Sequence, residues 1–400
     1  MKKILLLIAV PFILHFAAFS QSCLPEGITF TTQEQIDNFQ SDYPGCTEIE
    51  GDVEIKGDGI TNLNGLIELI PIYGDLWIRQ NDGLSTLTGL ENLATIGEGL
   101  FLESNSAIVN FTGLNGLTSL EGNLTLWDNG AITNFIGLES LFSVGGLSVL
   151  NNISVINFAG LNNLQCIKGY VNIKYNNNLT NFAGLENLTS IEDYLWIQYN
   201  DVLSSLRGLD NITSIRGFLA ISFNPELTSL INLVNLKSID GDLHIMKNDA
   251  LINLTGLENI DSNSIVDLFI RLNDHLSSCE LASICNYLLI PNGVLEIHSN
   301  APGCNSPEEV EEACETISVE ENNSKSPISI YPNPAKKELF VSANAGMGVL
   351  KINIYMQTGQ NVLSQGFCTE AIDISMLKPG MYIIEVSADD FMIREKLVVK

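Results

Sequence analysis

Hydrophobic and polar positions repeat along most of this chain with a period of about 24 residues. The segment 74–81, GDLWIRQN, followed by Leu84, Leu87 and Leu90, shows the repeated phrase. A self-similar unit of roughly 20 to 30 residues is the sequence signature of a solenoid, because no single unit can bury its apolar face alone. We therefore predict a mostly β solenoid of about 11 rungs, whose first apolar residues are Val53, Leu76, Leu100, Leu124, Leu147, Val171, Leu195, Leu219, Leu243, Leu268 and Leu295.

Each rung is expected to contain one short strand that ends at a polar support. Apolar residues alternate within the phrase, as at Leu195 and Ile197, so one side chain in two points inward. An interior Asn at the strand end can bond turn backbone groups that would otherwise be unsatisfied. The next segment, such as 227–239, spaces its apolar residues by three, which favours short turns over long helices. The predicted supports are Asp58, Asn81, Asn105, Asn129, Asn152, Asn176, Asn200, Asn224, Asn248, Asn273 and Asn300.

The phrases G-x-L-x-I-x-x-N and T-G-L-x-x-L resemble those of leucine-rich repeats and, more closely, those of the L domains of insulin and growth-factor receptors. The resemblance extends from about Cys23 to Cys314 and is specific for architecture. It implies a right-handed β-solenoid with one parallel sheet along each face. It does not identify a ligand, because one fold supports many unrelated sites.

The first 20 residues have the pattern of a secretory signal peptide. Lys2 and Lys3 precede an apolar run, and residues 18–20, AFS, form an A-x-S cleavage site. The alternative, a membrane anchor, needs about 20 apolar residues and no cleavage site. We therefore expect residues 1–20 to be removed on export.

The chain is strongly acidic, with 19 basic and 47 acidic residues and a formal net charge of −28. Removal of the signal peptide takes away Lys2 and Lys3 and makes the chain more acidic still. Nucleic acids and anionic membrane surfaces both demand a basic footprint, so we expect neither as a partner. The hydrophobic content of 45% is otherwise that of a folded protein, which favours a soluble exported chain of two domains.

Two short helices are expected at the ends of the solenoid. Residues 32–35, TQEQ, resemble a capping box, and Ile36 and Phe39 would face inward from the helix that follows. Residues 306–309, SPEE, place Ser at the cap, Pro at the first position and Glu at the third. The glutamates of this second helix are interpreted as a solvated face.

All eight cysteines follow the signal segment, and export permits disulfides. Cys23 and Cys46 are expected to close the N-terminal cap. Four cysteines near the other end allow three connectivities, among which we favour two pairs. None of the spacings is C-x-x-C, so no metal site is predicted. Cys166 is interpreted as a buried free thiol, while Cys368 lies in the last domain. The favoured pairs are Cys279 with Cys304 and Cys285 with Cys314.

A different pattern begins after the repeat. Residues 317–326 are polar and are predicted to form a linker. Short β-type runs separated by turn residues then indicate a small β-sandwich over residues 327–400. This segment resembles the type A C-terminal sorting domain of the type IX secretion system of Gram-negative bacteria. The residues that carry the resemblance are Tyr331, Pro332, Asn333, Pro334, Gly359, Gly380, Tyr382 and Lys396.

The sorting resemblance implies export and contact with the type IX secretion machinery. It also implies removal of the domain, with attachment of the remainder to lipopolysaccharide or its release, so we expect a secreted or outer-surface protein. A cut between about Ser318 and Pro327 would separate the two parts. The predicted domains are a signal peptide (1–20), an N-terminal cap (21–50), a repeat solenoid (51–300), a C-terminal cap helix (301–316), a linker (317–326) and a sorting domain (327–400).

Aromatic residues on the outward strand positions are the main candidates for recognition. Tyr175, Tyr199 and Phe223 occupy one column in three consecutive rungs. Trp77, Phe101 and later Trp196 occupy another. Exposed aromatic residues on a rigid sheet are common anchors for protein or sugar ligands. The other interpretation is that neighbouring rings stack and stiffen the sheet. The candidate ligand-binding residues are Tyr175, Trp196, Tyr199 and Phe223.

No catalytic constellation or cofactor motif is recognisable. His244 and His298 lie two rungs, or about 10 Å, apart, which is too far for one metal ion to span. We therefore expect a non-catalytic binding or adhesion protein with an unidentified protein or glycan ligand. Two alternatives stay open. One is a structural surface protein without a ligand, and the other is a polysaccharide-active enzyme with two acids about 5 to 10 Å apart in a groove.

Overall fold

The computed structural model describes residues 21–315, 328–331, 334–343, 351–356, 361–366, 372–388 and 391–400. The predicted signal peptide, linker and cleavage segment lie outside these ranges. Within the described ranges, no helix is both long enough and apolar enough to cross a bilayer.

Residues 21–315 form a solenoid with two parallel sheets of 12 and 10 strands, which confirms the predicted architecture. The twelve-stranded sheet comprises Ile28–Phe30, Val53–Ile55, Leu76–Arg79, Leu100–Glu103, Asn123–Trp127, Gly146–Leu150, Val171–Lys174, Leu195–Gln198, Leu219–Ser222, Gly241–Met246, Ile265–Arg271 and Leu295–His298. The ten-stranded sheet comprises Gln21–Cys23, Cys46–Ile49, Pro71–Ile72, Thr95–Ile96, Ser119–Leu120, Ser143–Val144, Cys166–Ile167, Ser190–Ile191, Ser214–Ile215 and Ser238–Ile239.

The twelve-stranded sheet has one strand more than the predicted eleven rungs. The additional strand, Ile28–Phe30, pairs in parallel with Val53–Ile55. Periodicity does not reveal it, because the segment after it lacks the Asn and the leucines of the repeated phrase. Helices Gln33–Asp37 and Phe39–Asp42 occupy that segment instead, and the predicted capping box is present. Their inward residues, Ile36 and Phe39, are fully buried as predicted.

From Val53–Ile55 to Gly241–Met246, successive strands of the larger sheet pair without stagger, so equivalent residues of each rung become neighbours. Leu195 lies opposite Leu219, and Trp196 lies opposite Ala220. Neighbouring strands are about 4.8 Å apart in the hydrogen-bonding direction. A residue type that recurs at one position of the repeat therefore forms a continuous column on the sheet.

A ladder of buried asparagines supports the turns that follow the twelve-stranded sheet. The Oδ1 of Asn200 accepts the backbone N–H of Asn176 at 3.1 Å. Its Nδ2 donates to the carbonyl of Ile173 at 3.2 Å and to the Oδ1 of Asn224 at 3.1 Å. These bonds satisfy buried turn groups and confirm the predicted role. The fully buried members are Asn81, Asn105, Asn129, Asn152, Asn176, Asn200, Asn224, Asn248 and Asn273.

Asp58 does not belong to this ladder, and that prediction is wrong. Its side chain is exposed, and the backbone N–H of Gly57 donates to the Oδ1 of Asn81 at 2.9 Å. In the rungs that follow, a residue with a left-handed φ comes directly before the Asn, as Gln80 does before Asn81. The first turn has no such residue and is one position shorter.

The glycine of the T-G-L phrase is required by the close packing of successive rungs. Gly184 has a φ of +112°, and a Cβ there would lie 2.0 Å from the carbonyl oxygen of Phe158 in the preceding rung. Its N–H donates to the carboxylate of Glu186 at 2.8 Å. The turns contain three short 3₁₀ helices in the described part of the chain: Asn64–Leu66, Ile231–Leu233 and Ser262–Ser264.

The solenoid interior contains a stacked phenylalanine column. Phe111, Phe135, Phe158 and Phe182 are fully buried, with successive ring centroids 5.5, 5.2 and 5.3 Å apart. Parallel stacking at the strand spacing adds to the burial of each ring. The column therefore stiffens the middle rungs from within.

The C-terminal end contains two helices. Pro307–Cys314 begins as predicted, with the side chain of Ser306 accepting the N–H of Glu309. Ala282–Leu289 was not predicted. It replaces the turn segment of the last rung and explains the longer step between Leu268 and Leu295.

Disulfides close both ends of the solenoid. Cys23 is bonded to Cys46, Cys279 to Cys304, and Cys285 to Cys314. The last bond joins the two C-terminal helices. The interpretation of Cys166 as a free thiol is wrong. This residue is buried on the strand Cys166–Ile167 and is disulfide-bonded.

The C-terminal segment forms two small antiparallel sheets around a core of its own. Short strands form this segment, as the β-type runs of the sequence predict. Inside this segment the buried carboxylate of Glu385 accepts bonds from Asn353 and Tyr355 at 3.1 and 3.0 Å. The three-stranded sheet comprises Ile328–Tyr331, Glu338–Ala343 and Ile372–Asp373. The four-stranded sheet comprises Lys351–Met356, Asn361–Gly366, Gly380–Ala388 and Phe391–Val399.

Candidate functional site

Tyr175, Tyr199 and Phe223 form a continuous stack on the twelve-stranded sheet. The ring centroids of Tyr175 and Tyr199 are 4.8 Å apart and their planes differ by 5°. The rings of Tyr199 and Phe223 follow at 4.4 Å and 26°. Tyr175 is exposed, whereas the other two are half-buried. The structure therefore brings together the column predicted from the sequence.

This column occupies a backbone position that disfavours large side chains. Tyr175, Tyr199 and Phe223 have φ angles of +59°, +56° and +56°. The left-handed region suits Gly and Asn, whereas a bulky residue there is strained by roughly 1 kcal/mol or more. The position before the ladder Asn is left-handed in every rung from Gln80 to Ser299, and Asn151 occupies it one rung earlier. The three aromatic residues are therefore present in spite of the local backbone preference.

A second aromatic column lies beside the first, immediately before the strands. Tyr170, Tyr194 and Phe218 stack with centroid distances of 5.2 and 4.6 Å. Trp196 joins this column edge-on, with its ring 6.4 Å from Tyr194 and 5.7 Å from Phe218. Sequence reasoning missed this column, although its residues recur at the same spacing of 24. We define the aromatic cluster as Tyr170, Tyr175, Tyr194, Trp196, Tyr199, Phe218 and Phe223.

The floor of the aromatic cluster contains small and polar side chains. Ala220 and Ser222 are buried between the two columns. The Oδ1 of Asn172 is buried and accepts no hydrogen bond from the described residues. The ammonium group of Lys174 lies over the Trp196 ring, 2.8 Å from its centroid. The cluster thus combines ring edges with one cation and one unsatisfied acceptor.

Lys174 is expected to react as an unusually nucleophilic lysine. Burial lowers its pKa from 10.5 to about 8, because desolvation penalises the charged ammonium. The attraction of the Trp196 ring for the cation opposes part of this effect. At pH 8 we expect Lys174 to be acylated roughly tenfold faster than an ordinary lysine, because a much larger fraction is neutral.

Mass-spectrometric rates with an acylating reagent would measure this, and Lys237 serves as the control because it precedes a strand of the ten-stranded sheet. Trp196→Ala should return Lys174 to the rate of Lys237. Equal rates in the unsubstituted protein would show that the ring attraction cancels the effect of desolvation.

The other predicted aromatic column is interrupted. Trp77 and Phe101 stack at 3.9 Å with an interplanar angle of 6°. The following three rungs place Thr125, Ser148 and Asn172 in the same column before Trp196. This pair therefore forms a separate, smaller surface feature, and it provides a comparison for the aromatic cluster.

Three carboxylates approach one another near the N-terminal end. Asp52, Asp75 and Glu98 each place one oxygen within 4.8 Å of the others. Two of them already accept backbone N–H groups. The backbone N–H of Asp75 donates to the Oδ1 of Asp52 at 2.9 Å, and the backbone N–H of Gly99 donates to the Oδ1 of Asp75 at 2.7 Å. The same bond recurs between later rungs. Support of the backbone therefore accounts for Asp52 and Asp75.

An open cleft of about 410 Å³ lies at the same end of the sheet. Glu26, Asp52, Glu54, Trp77 and Arg79 contribute to its walls. Arg79 forms an ion pair with Glu54. The cleft combines several carboxylates with an aromatic ring, and it bears on the enzymatic alternative below.

His244 lies next to the aromatic cluster and stacks on Phe269 with centroids 4.5 Å apart. Burial lowers the pKa of His244, although Asp242, whose carboxylate lies 3.6 Å away, opposes this shift. The pairing places His244 and His298 in different columns. The structure therefore does not bring the two histidines into one site.

The predicted sorting residues are only partly described. Pro332, Asn333 and Gly359 lie outside the described residues. Tyr331 pairs with Phe340 across the three-stranded sheet, and Pro334 and Lys396 are exposed. Gly380 is the first residue of the strand Gly380–Ala388. The side chain of Tyr382 is buried, and its hydroxyl donates to the Lys378 carbonyl at 2.8 Å.

Comparison with known proteins identifies this C-terminal segment. Residues 329–400 match the family described as the Secretion system C-terminal sorting domain, the sorting tail of type IX secretion. The protein is therefore an exported solenoid protein, secreted or at the cell surface, that interacts with the type IX secretion machinery. No curated protein matches the chain.

Proposed function

We propose that the solenoid is a non-catalytic recognition or adhesion module that binds a protein or glycan through the aromatic cluster. The observation that carries this proposal is the position of three aromatic residues at left-handed backbone positions. Strain at such a position is a reason to look for a function. Stacking between aromatic rings contributes about 0.5–1.5 kcal/mol, which is similar to the strain. Stability alone therefore does not account for the column.

A binding screen with a paired substitution tests this function. The chain from Gln21 to Lys400 would be screened against glycan and surface-protein arrays, together with Tyr199→Asn/Phe223→Asn. Asparagine tolerates the left-handed backbone, so we expect the unfolding free energy to change by less than about 1 kcal/mol. Binding should fall at least tenfold, because aromatic anchors dominate interface energies.

The matched control is Trp77→Ala/Phe101→Ala, which removes a stacked pair on the same sheet but outside the cluster. This variant should retain binding. Equal losses in both variants, or no binding by the unsubstituted chain, would contradict the proposal. A large loss of stability in Tyr199→Asn/Phe223→Asn without loss of binding would favour the structural alternative, in which the rings only stiffen the sheet.

The enzymatic alternative rests on the open cleft at the N-terminal end. Asp52 and Glu54 are two positions apart along the chain, which corresponds to about 7 Å in a strand and falls within the separation used by glycosidases. Glu54 is already paired with Arg79, which makes this the weaker candidate. Release of reducing sugar from a polysaccharide, abolished by Glu54→Gln but not by Tyr199→Asn/Phe223→Asn, would favour it.

We also assign the repeat to the class of leucine-rich repeats and receptor L domains. The in-register sheets, the asparagine ladder and the T-G-L glycines support this assignment. An N-terminal signal peptide would direct the chain to the periplasm of a Gram-negative bacterium. After passage through the outer membrane, the solenoid would be attached to lipopolysaccharide or released.

A further inference from the structure

The aromatic cluster lies in a part of the sheet that has no carboxylates. Five consecutive strands, from Asn123–Trp127 to Leu219–Ser222, contain no Asp or Glu, and Lys174 is their one charged residue. The next rung adds Lys247 directly after the stacked column, and its strand Gly241–Met246 contains Asp242, whose carboxylate lies 3.6 Å from His244. Carboxylates of the same rungs, such as Asp193 and Asp201, lie in the turns outside the strands, and Asp193 is near enough to contribute to the raised pKa of Tyr194. In a protein with a net charge of −28, the single charged side chain of these five strands is therefore a cation.

The orientation of the rings also favours an anionic partner. The rings of Tyr175 and Tyr199 are parallel and separated by the strand spacing, so their faces point along the solenoid and cover each other. Their edges point away from the stack. Ring edges carry the positive part of the aromatic quadrupole. The column therefore presents positive edges and tyrosine hydroxyls to a ligand.

Lys174 lacks a carboxylate partner among the described residues, whereas four other basic side chains of the solenoid have one. Arg79, Arg271 and Lys168 pair with Glu54, Glu296 and Glu121, respectively. Lys174 is instead held over the Trp196 ring. An ammonium fixed by a ring and lacking a counter-ion is well placed for a carboxylate from outside.

We propose that the aromatic cluster binds an acidic segment of a partner protein, with a carboxylate of that segment at Lys174 and apolar groups along the edges of Tyr175, Tyr199 and Phe223. This proposal rests on the proposed function and specifies its ligand. The surface is flat and pre-ordered by stacking, as in protein interfaces, where rigid aromatic side chains add contact area at low entropic cost.

The same geometry disfavours a glycan. Sugar rings stack on exposed aromatic faces, and the faces of Tyr199 and Tyr194 are covered on both sides by neighbouring rings.

The test uses an array of short peptides sorted by net charge at equal apolar content, probed with the chain from Gln21 to Lys400. We expect acidic peptides to dominate the binders. Lys174→Gln should weaken the best of them roughly tenfold, because a charge-assisted contact is lost. Lys237→Gln, on the other side of the repeat, should leave binding unchanged. Binding should also weaken with added salt.

Preferred binding of neutral or basic peptides, or full binding by Lys174→Gln, would overturn this inference. If those peptides were still lost with Tyr199→Asn/Phe223→Asn, the recognition function would stand while the acidic partner would not. If no peptide bound but a glycan did, and the double substitution abolished that binding, the protein partner would be wrong. If the double substitution changed no binding at all, both proposals would fail.

Discussion

Replacement of Gly184 by alanine is expected to lower the free energy of unfolding by about 4 kcal/mol or more, or to prevent folding. The added Cβ would lie 2.0 Å from the Phe158 carbonyl oxygen and 2.2 Å from its carbon. Both are backbone atoms of a rung held by its neighbours, so they cannot move away cheaply. The φ of +112° adds strain for any residue other than glycine.

Gly130→Ala is the matched control for this substitution. A Cβ at Gly130 would meet nothing within 4 Å, and its φ is not in the left-handed region. We expect its effect to stay within about 0.5 kcal/mol. Urea denaturation followed by circular dichroism measures both variants. Similar midpoints for Gly184→Ala and Gly130→Ala would mean that the rungs are not packed as closely as the structure shows.

Asn200→Ala is the second substitution with a large expected effect, a loss of about 3 to 5 kcal/mol. Alanine removes the acceptor for the Asn176 N–H and the donor to the Ile173 carbonyl. Both backbone groups stay buried and unsatisfied. The desolvation of each such group costs about 1 to 3 kcal/mol, and the bond to Asn224 is lost as well.

Asn187→Ala separates this effect from the general loss of an asparagine. Asn187 is exposed, and its Nδ2 makes one bond, to the Asn162 carbonyl at 2.6 Å. We expect a change of about 1 kcal/mol or less, because water can replace the exposed partner. Amide hydrogen exchange would locate the effect, since Asn200→Ala should expose the turns of its own and adjacent rungs first. Uniform exchange along the solenoid would contradict this local mechanism.

The role of Asn200 could be predicted from the sequence alone, whereas the role of Gly184 could not. The period of the apolar residues identifies each rung, and the recurrence of Asn at the strand end identifies its support. The alternation of apolar residues and the fixed step between rungs were therefore sufficient to predict the strands of the twelve-stranded sheet, apart from its first strand. The role of Gly184 required the structure, because the atom that its Cβ would meet belongs to another rung.

The candidate site shows the same division. Tyr175, Tyr199 and Phe223 could be assigned to one column because their spacing equals the period. Tyr170, Tyr194 and Phe218 share this period but lie before the strand, where alternation gives no signal. Asp58 and Cys166 were misassigned for a related reason. A turn shortened by one residue and a disulfide both depend on contacts that local sequence does not encode.

The architecture of one rung and the sorting tail follow from short stretches of sequence, because alternation, turn chemistry and motif residues act over a few neighbours. The candidate recognition surface has a different origin. It arises when in-register stacking places residues that are 24 positions apart within about 5 Å of one another. The parallel rings, the ammonium of Lys174 over Trp196 and the carboxylate-free strands exist only after the rungs have stacked.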